Sequence, residues 1–208
     1  MSSMIHAFAG LALVSGAASA QELINNPTFL DVDGDGALGD GWGSFGNAGF
    51  NNFFGAPHAS LFADNTSNFG GVFQTGISGA ENVLYQFDLL DVRIEENLNA
   101  NLWFGLEYFA GDDSTRLGED IVSIDTNEFF GDVATGDGLA FSMQGTAVLG
   151  TVFVRPIILF DNPFFPGNAS NSGQANAFVF ATSLTVVPAP GAAGLLSVTA
   201  IAAARRRR

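Results

Sequence analysis

The sequence predicts an all-β fold, a single sandwich spanning about residues 21–187 of the 208-residue chain. Three observations carry that expectation. Apolar residues alternate with polar ones at period two in several short runs. Clusters of Gly, Asn, Asp and Ser, which are turn chemistry, separate those runs. No stretch of this region shows a sustained apolar period of 3.6 residues.

Taken in order, the first expected strands are His58–Ala63 and Gly71–Thr75. Val83–Leu89 follows, with Val83, Tyr85, Phe87 and Leu89 on one face and Gln86 and Asp88 on the other. Asn101–Ala110 repeats the pattern, setting Leu102, Phe104, Leu106 and Tyr108 against Trp103, Gly105, Glu107 and Phe109. Ile121–Asp125, Leu139–Gln144, Thr151–Phe160 and Ala177–Val187 complete the set. Pro156 inside Thr151–Phe160 points to an edge strand or a bulge, because proline cannot donate to a ladder. Long loops are expected at 31–57 and 161–175. About eight or nine strands in one domain suit a sandwich of jelly-roll type. The chain has no Cys, so its core must suffice without disulfides, and thiolate metal sites and Cys nucleophiles are excluded.

Charge is lopsided. Within residues 21–187, Arg93, Arg116 and Arg155 face 21 acidic residues, leaving about −18. Such a surface repels nucleic acid and anionic headgroups and favours divalent cations. The 21 Phe residues and abundant Val, Leu and Ile argue for a packed domain rather than disorder.

Both ends read as targeting segments. Residues 1–20 have the form of a secretory signal peptide, with the apolar run Ala7–Val14 and the small-x-small site Ala18-Ser19-Ala20. Their n-region lacks Lys and Arg. Residues 188–208 comprise Pro188-Ala189-Pro190, an uncharged stretch Gly191–Ala204, and the run Arg205, Arg206, Arg207, Arg208. Fourteen residues make about 21 Å of helix, short against a ~30 Å hydrocarbon core. Arginines beyond an apolar segment hold that end on the cytoplasmic side, which puts the acidic domain outside. This tail resembles the PEP-CTERM class of bacterial sorting signals, although Ala189 stands where the usual motif has Glu. The resemblance implies signal peptidase and an exosortase-like enzyme as partners, transient membrane anchoring, and a cell-surface or extracellular destination.

Within the domain, Leu23–Phe29 (LINNPTF), Gly41-Trp42, Ala59-Ser60-Leu61, Gly70-Gly71-Val72-Phe73-Gln74 and Tyr85-Gln86-Phe87 follow one another in a familiar order. The order is similar to galactose-binding-like, carbohydrate-binding jelly rolls, and the likeness spans about residues 23–110. It implies a glycan as ligand.

The sharpest local motif is Asp31-Val32-Asp33-Gly34-Asp35-Gly36. Asp31, Asp33 and Asp35 in a tight glycine-bearing loop, with Asp40 nearby, supply the hard oxygens that Ca²⁺ requires. The twelfth position is Trp42 rather than Glu, so this is not an EF-hand; the alternatives are a Ca²⁺ loop on a β scaffold or a solvated acidic turn. Trp103, beside Glu107 on the strand face opposite the core, is the leading candidate for stacking on a sugar ring. Trp42 is a second candidate, with plugging the end of the sandwich as its other reading, and Phe50–Phe54 is either a candidate rim or a loop tucked under the core.

Catalysis has little support. His58 is the only His after residue 20, no nucleophile-elbow motif accompanies it, and Lys is absent. The expected protein is therefore a non-catalytic surface or matrix protein, with a carbohydrate-binding module or adhesin as the alternative. A glycoside hydrolase using Glu107 and Glu119–Asp120 comes third.

Overall fold

The computed structural model describes residues 20–63, 69–94, 101–125, 138–161 and 175–188. The predicted cleavage site up to Ser19, and Pro190 with Arg205, Arg206, Arg207 and Arg208, lie outside the described residues. Gln21–Val187 forms one compact unit. Among the described residues no helix is long and apolar enough to cross a membrane.

Among the described residues there are eleven strands: β1 Trp42–Gly46, β2 Ala48–Asn51, β3 His58–Ala63, β4 Phe69–Gln74, β5 Ile77–Ser78 and β6 Leu84–Ile94. Then come β7 Asn101–Phe109, β8 Arg116–Asp125, β9 Leu139–Thr146, β10 Phe153–Asp161 and β11 Ala175–Val186. They make two antiparallel sheets. One runs β1-β4-β10-β7-β8, with β5 added on β10; the other runs β2-β3-β11-β6-β9. The all-β sandwich expected from the alternation is the fold found.

The core forms where the inward faces of the two sheets meet. Leu102, Phe104, Leu106 and Tyr108 of β7, Val154, Ile158 and Phe160 of β10, and Tyr85, Phe87, Leu89 and Val92 of β6 are all buried in it. Phe87 and Phe104 meet across the sheets with centroids 6.0 Å apart. The Tyr108 hydroxyl donates to Asp120 at 2.7 Å, and burial together with that carboxylate holds the phenol far above its ordinary range.

Three expectations need correction. The segment 31–57 is not one loop, because it contains β1 and β2. In β1 the polarity is inverted, with Phe45 facing outward and Ser44 and Gly46 at the alternate positions, and β2 has only four residues, so no apolar period marks either. Second, β5 adds a two-residue strand that is too short to leave a period. Third, β10 is neither an edge nor bulged at Pro156, since it lies between β4 and β7. The β4 ladder starts at Ile157 and the β5 ladder stops at Val154. Pro156 thus falls where that side of the sheet is interrupted, and a residue without an N–H is tolerated there.

The outer faces differ. On the β2-β3-β11-β6-β9 sheet, the 52–57 loop folds Phe54 against His58, Phe178 and Phe180, with ring centroids 5.0–6.0 Å apart. Arg93, paired with Asp91, stacks 4.0 Å over Phe180. His58 is fully buried in this cluster, with Nδ1 2.8 Å from the Ala56 carbonyl. Desolvation, aided by the nearby Arg93 charge, lowers its pKa. Its imidazole is used in packing. The rest of this face carries the polar side chains Gln86, Asp88 and Gln144. Among the described residues, the other sheet's outer face carries the aromatic side chains Phe45, Phe69, Phe73 and Trp103.

Candidate functional site

Strand register alone assembles this aromatic face. Opposed residues in antiparallel strands point the same way, so β1, β4, β10, β7 and β8 present a row Phe45–Gly71–Leu159–Trp103–Ser123. The adjoining row is Gly43–Phe73–Ile157–Gly105–Ile121, and beyond it Arg155, Glu107 and Glu119 stand side by side. Glycines shape the floor. A Cβ on Gly71 would stand 2.5 Å from the Phe45 ring and 2.7 Å from Leu159, and one on Gly43 would stand 2.7 Å from the Phe73 ring. Each ring is thus laid onto a glycine of the neighbouring strand, leaving its other side outward. Phe45 contacts Phe69 and Phe73 at centroid distances of 5.3 and 5.9 Å. Trp103 is half-buried on this face. At about 4.8 Å per strand, Trp103 and Phe45 stand roughly 14 Å apart across the sheet.

Polar order comes from Glu107. Its carboxylate is buried, accepting from Arg116 at 3.0 Å on one oxygen and from Arg155 at 2.8 Å on the other. Arg116 also pairs with Glu119 at 2.6 Å. Arg155 lies 4.0 Å over the Phe109 ring and 5.3 Å from that of Phe73. The planar guanidinium, held by carboxylate and rings together, cannot swing freely. Sequence reasoning found Trp103 and Glu107 but missed Arg155, Arg116, Phe45 and Phe73. The period-two pattern of Phe153–Asp161 was the available signal, since it places Arg155 on the face of Ile157 and Leu159.

Trp42 is not on this face. It is 8% exposed, with its ring 5.0 Å from Phe29 and its indole N–H donating to the Asn26 carbonyl at 2.8 Å. Its ring belongs to the core cluster. Asn26 is itself buried, bonding Leu30 through both backbone groups and reaching the Asp40 carbonyl. Phe29 adopts φ 56° to enter the core, a left-handed conformation that this network sustains. Asn26 to Phe29 and Gly41-Trp42 therefore join the N-terminal segment to the sandwich.

The acidic motif forms a turn held by its own carboxylates. Asp31 accepts from the Gly34 and Gly36 amides at 2.7 and 3.0 Å, while Asp40 accepts from Asp33 at 2.9 Å and from Val32. Gly34 and Gly36 have φ of 80° and 90°, which suits glycine. Oxygens of Asp31, Asp33 and Asp40 lie within 4.8 Å of one another. At Ca–O distances near 2.4 Å, ligands of one ion are separated by at most about 4.8 Å, so this spacing fits a shared hard cation. Asp35, expected as a ligand beside Asp31 and Asp33, is not brought into the group, whereas Asp40 is; the Asp35 carboxylate accepts from the Ala37 amide at 2.7 Å.

No family model matches the chain, and no curated protein matches it. Solved structures do resemble it. The enzymatically active domain of bacteriophage CBA120 tailspike protein 4 superposes with a TM-score of 0.51 at 8% identity, over 80% of this chain and 21% of that one. The CBM22-1–GH10 modules of Clostridium thermocellum xylanase 10B, complexed with xylohexaose, give 0.51 at 12% identity, over 81% of this chain and 29% of theirs. The CBM22-1 xylan-binding domain of Paenibacillus barcinonensis Xyn10C gives 0.49 at 11% identity, over 83% and 99%. This chain thus corresponds to under a third of each of the first two chains, and the likeness is one of fold alone.

Proposed function

We propose that this chain is an exported, membrane-tethered, non-catalytic protein whose sandwich binds a neutral glycan on the outer face of the β1-β4-β10-β7-β8 sheet. The observation that carries the reading is that face itself. It sets an aromatic and aliphatic floor, Trp103 to Phe45, beside a fixed polar cluster of Arg155, Glu107 and Arg116. Pyranose rings present apolar C–H faces and equatorial hydroxyls, so a floor for stacking beside fixed donors and acceptors matches their chemistry. A chain of CBM22-1 and GH10 modules, complexed with xylohexaose, shares the fold over 29% of its length, which supports the same reading. The acidic surface disfavours polyanionic glycans. Both oxygens of Glu107 are engaged by guanidinium groups, which supports a binding role over an acid–base one. The Pro188–Arg208 tail supports sorting and tethering by its composition.

Titration calorimetry with xylohexaose and other neutral oligosaccharides, backed by a glycan array, tests the binding. Trp103→Ala is expected to weaken binding by about tenfold or more, the loss of one stacking contact. If no neutral glycan binds the wild-type chain, the ligand reading fails and a purely architectural role at the surface stands in its place.

Asp31, Asp33 and Asp40 are proposed to take Ca²⁺, which when bound would cross-link the 31–40 turn. Calcium at 100 times its Kd is expected to stabilise the domain by about 2.7 kcal/mol. Asp33→Asn should abolish that increment in scanning calorimetry. An unchanged melting temperature between Ca²⁺ and EGTA would reduce the motif to a solvated turn.

A further inference from the structure

We infer that the β9–β10 turn, with Leu117 beside it, is a bilayer-contacting tip on which the domain rests at a zwitterionic membrane. The inference goes beyond glycan binding and depends on the tethering part of the proposal above. Among the described residues, this end of the sandwich exposes aliphatic side chains that belong together. Leu149 is 77% exposed, and Val148, Val152 and Leu117 are also exposed. They are contiguous: a Cβ on Gly118 would meet Val148 at 3.2 Å, one on Gly150 would meet Leu117 at 3.5 Å, and one on Gly111 would meet Val152 at 3.8 Å. The turn is held firmly, with Thr151 N–H donating to the Val148 carbonyl at 3.2 Å and Gly150 N–H to Glu81 at 2.7 Å. An ordered turn that presents Leu149 to water is built for a partner surface.

The path of the chain identifies that surface. Residues Val83 and Leu84 lie between the turn and the point where the chain leaves the sandwich. Ala147 N–H donates to the Val83 carbonyl at 3.0 Å, and Val187 N–H donates to the Leu84 carbonyl at 2.8 Å. The exit at Val187 is therefore two strand spacings, about 10 Å, from the root of the turn. The 14 uncharged residues Gly191–Ala204 and four arginines follow that exit in sequence. A segment of that composition in a bilayer brings the exit, and with it the aliphatic tip, to the lipid surface. The acidic Glu81 and Asp112 near the tip disfavour an anionic surface and leave a zwitterionic one. The glycan face gains an orientation from this. Phe109, bonded to Val152 at 2.9 Å, marks the lipid end of β7, and Trp103 stands about 20 Å further out.

The chain has no Cys, so single probes can be placed on the full-length protein. Leu149→Cys and, as a control on the far side of the domain, Phe53→Cys each carry an environment-sensitive fluorophore. Both proteins are reconstituted into phosphatidylcholine vesicles with and without headgroup-proximal doxyl lipid. Both positions are exposed, so neither substitution threatens the fold. The protein should float with the vesicles, and doxyl lipid should quench the 149 probe about twofold or more while leaving the 53 probe unchanged. Flotation with an unquenched 149 probe overturns the tip and leaves the tether standing. Failure to float overturns both. A blue-shifted but unquenched probe, with energy transfer between copies, assigns the tip to a second copy and likewise overturns the proposal.

Discussion

Glu107→Gln is expected to cost the domain about 2–3 kcal/mol and to lower its melting temperature by roughly 5–10 °C. The size follows from what the substitution strands. Glu107 is 7% exposed and answers two guanidiniums, those of Arg155 at 23% and Arg116 at 51% exposure. Breaking a buried pair by removing one partner costs about 3–5 kcal/mol, because an uncompensated charge stays behind. Here the remaining charges are partly wetted, and Arg116 keeps Glu119, so solvent screening takes a share of that cost. The conversion uses about 2–4 °C per kcal/mol for a domain of this length. Arg155→Met alone should cost less, since Arg116 still answers the carboxylate. The double variant should show a coupling of about 1–2 kcal/mol in thermal or urea unfolding. A melting point within about 2 °C of wild type for Glu107→Gln would mean that the cluster behaves like a surface pair and does not hold Arg155 rigidly.

How much of this was legible in the sequence depends on whether the signal is local. In β7 the residues assigned inward, Leu102, Phe104, Leu106 and Tyr108, are buried and Trp103 is half-buried on the other face, although Gly105, Glu107 and Phe109 on that face are buried as well. A half-buried strand writes its orientation into its own residues. β1 does not, because an edge strand with outward Phe45 and alternate Ser44 and Gly46 carries the opposite polarity from the one a core-facing pattern needs, and β2, whose Ala48 and Phe50 pack against the core, has only four residues. Pro156 misled for a related reason. Its cost depends on where two neighbouring ladders end, and those ends belong to β4 and β5. The site was legible to the same extent. Trp103 and Glu107 share one strand and were found together. Arg155 lies 48 positions from Glu107 and joins it only through the β7–β10 register. The Asp turn was visible because its ligands are neighbours in sequence. That Asp35 bonds Ala37 instead of joining the others is decided by backbone angles that the motif does not encode.

The two tryptophans are expected to separate cleanly. Trp42→Ala should destabilise the domain by about 3–5 kcal/mol, the range for truncating a large buried aromatic, and drop its melting temperature by about 10 °C or more. The removed ring leaves Phe29 without its neighbour at 5.0 Å, and the Asn26 carbonyl without the indole donor. Phe29 is held at a positive φ by packing, so loosening that contact should release the N-terminal segment, and with it the 31–40 turn, which Asn26 ties down through the Leu30 and Asp40 carbonyls. Trp42→Phe keeps most of the volume and loses the hydrogen bond, for about 1–2 kcal/mol. Trp103→Ala acts on a half-buried ring outside the core and should stay within about 1 kcal/mol of wild-type stability while losing affinity for glycan. Urea unfolding of the three variants checks the ordering. Trp42→Ala unfolding within about 1 kcal/mol of wild type would show that the segment before β1 does not depend on its aromatic plug, and the architectural role of the Asn26–Trp42 bond would then have to be given up.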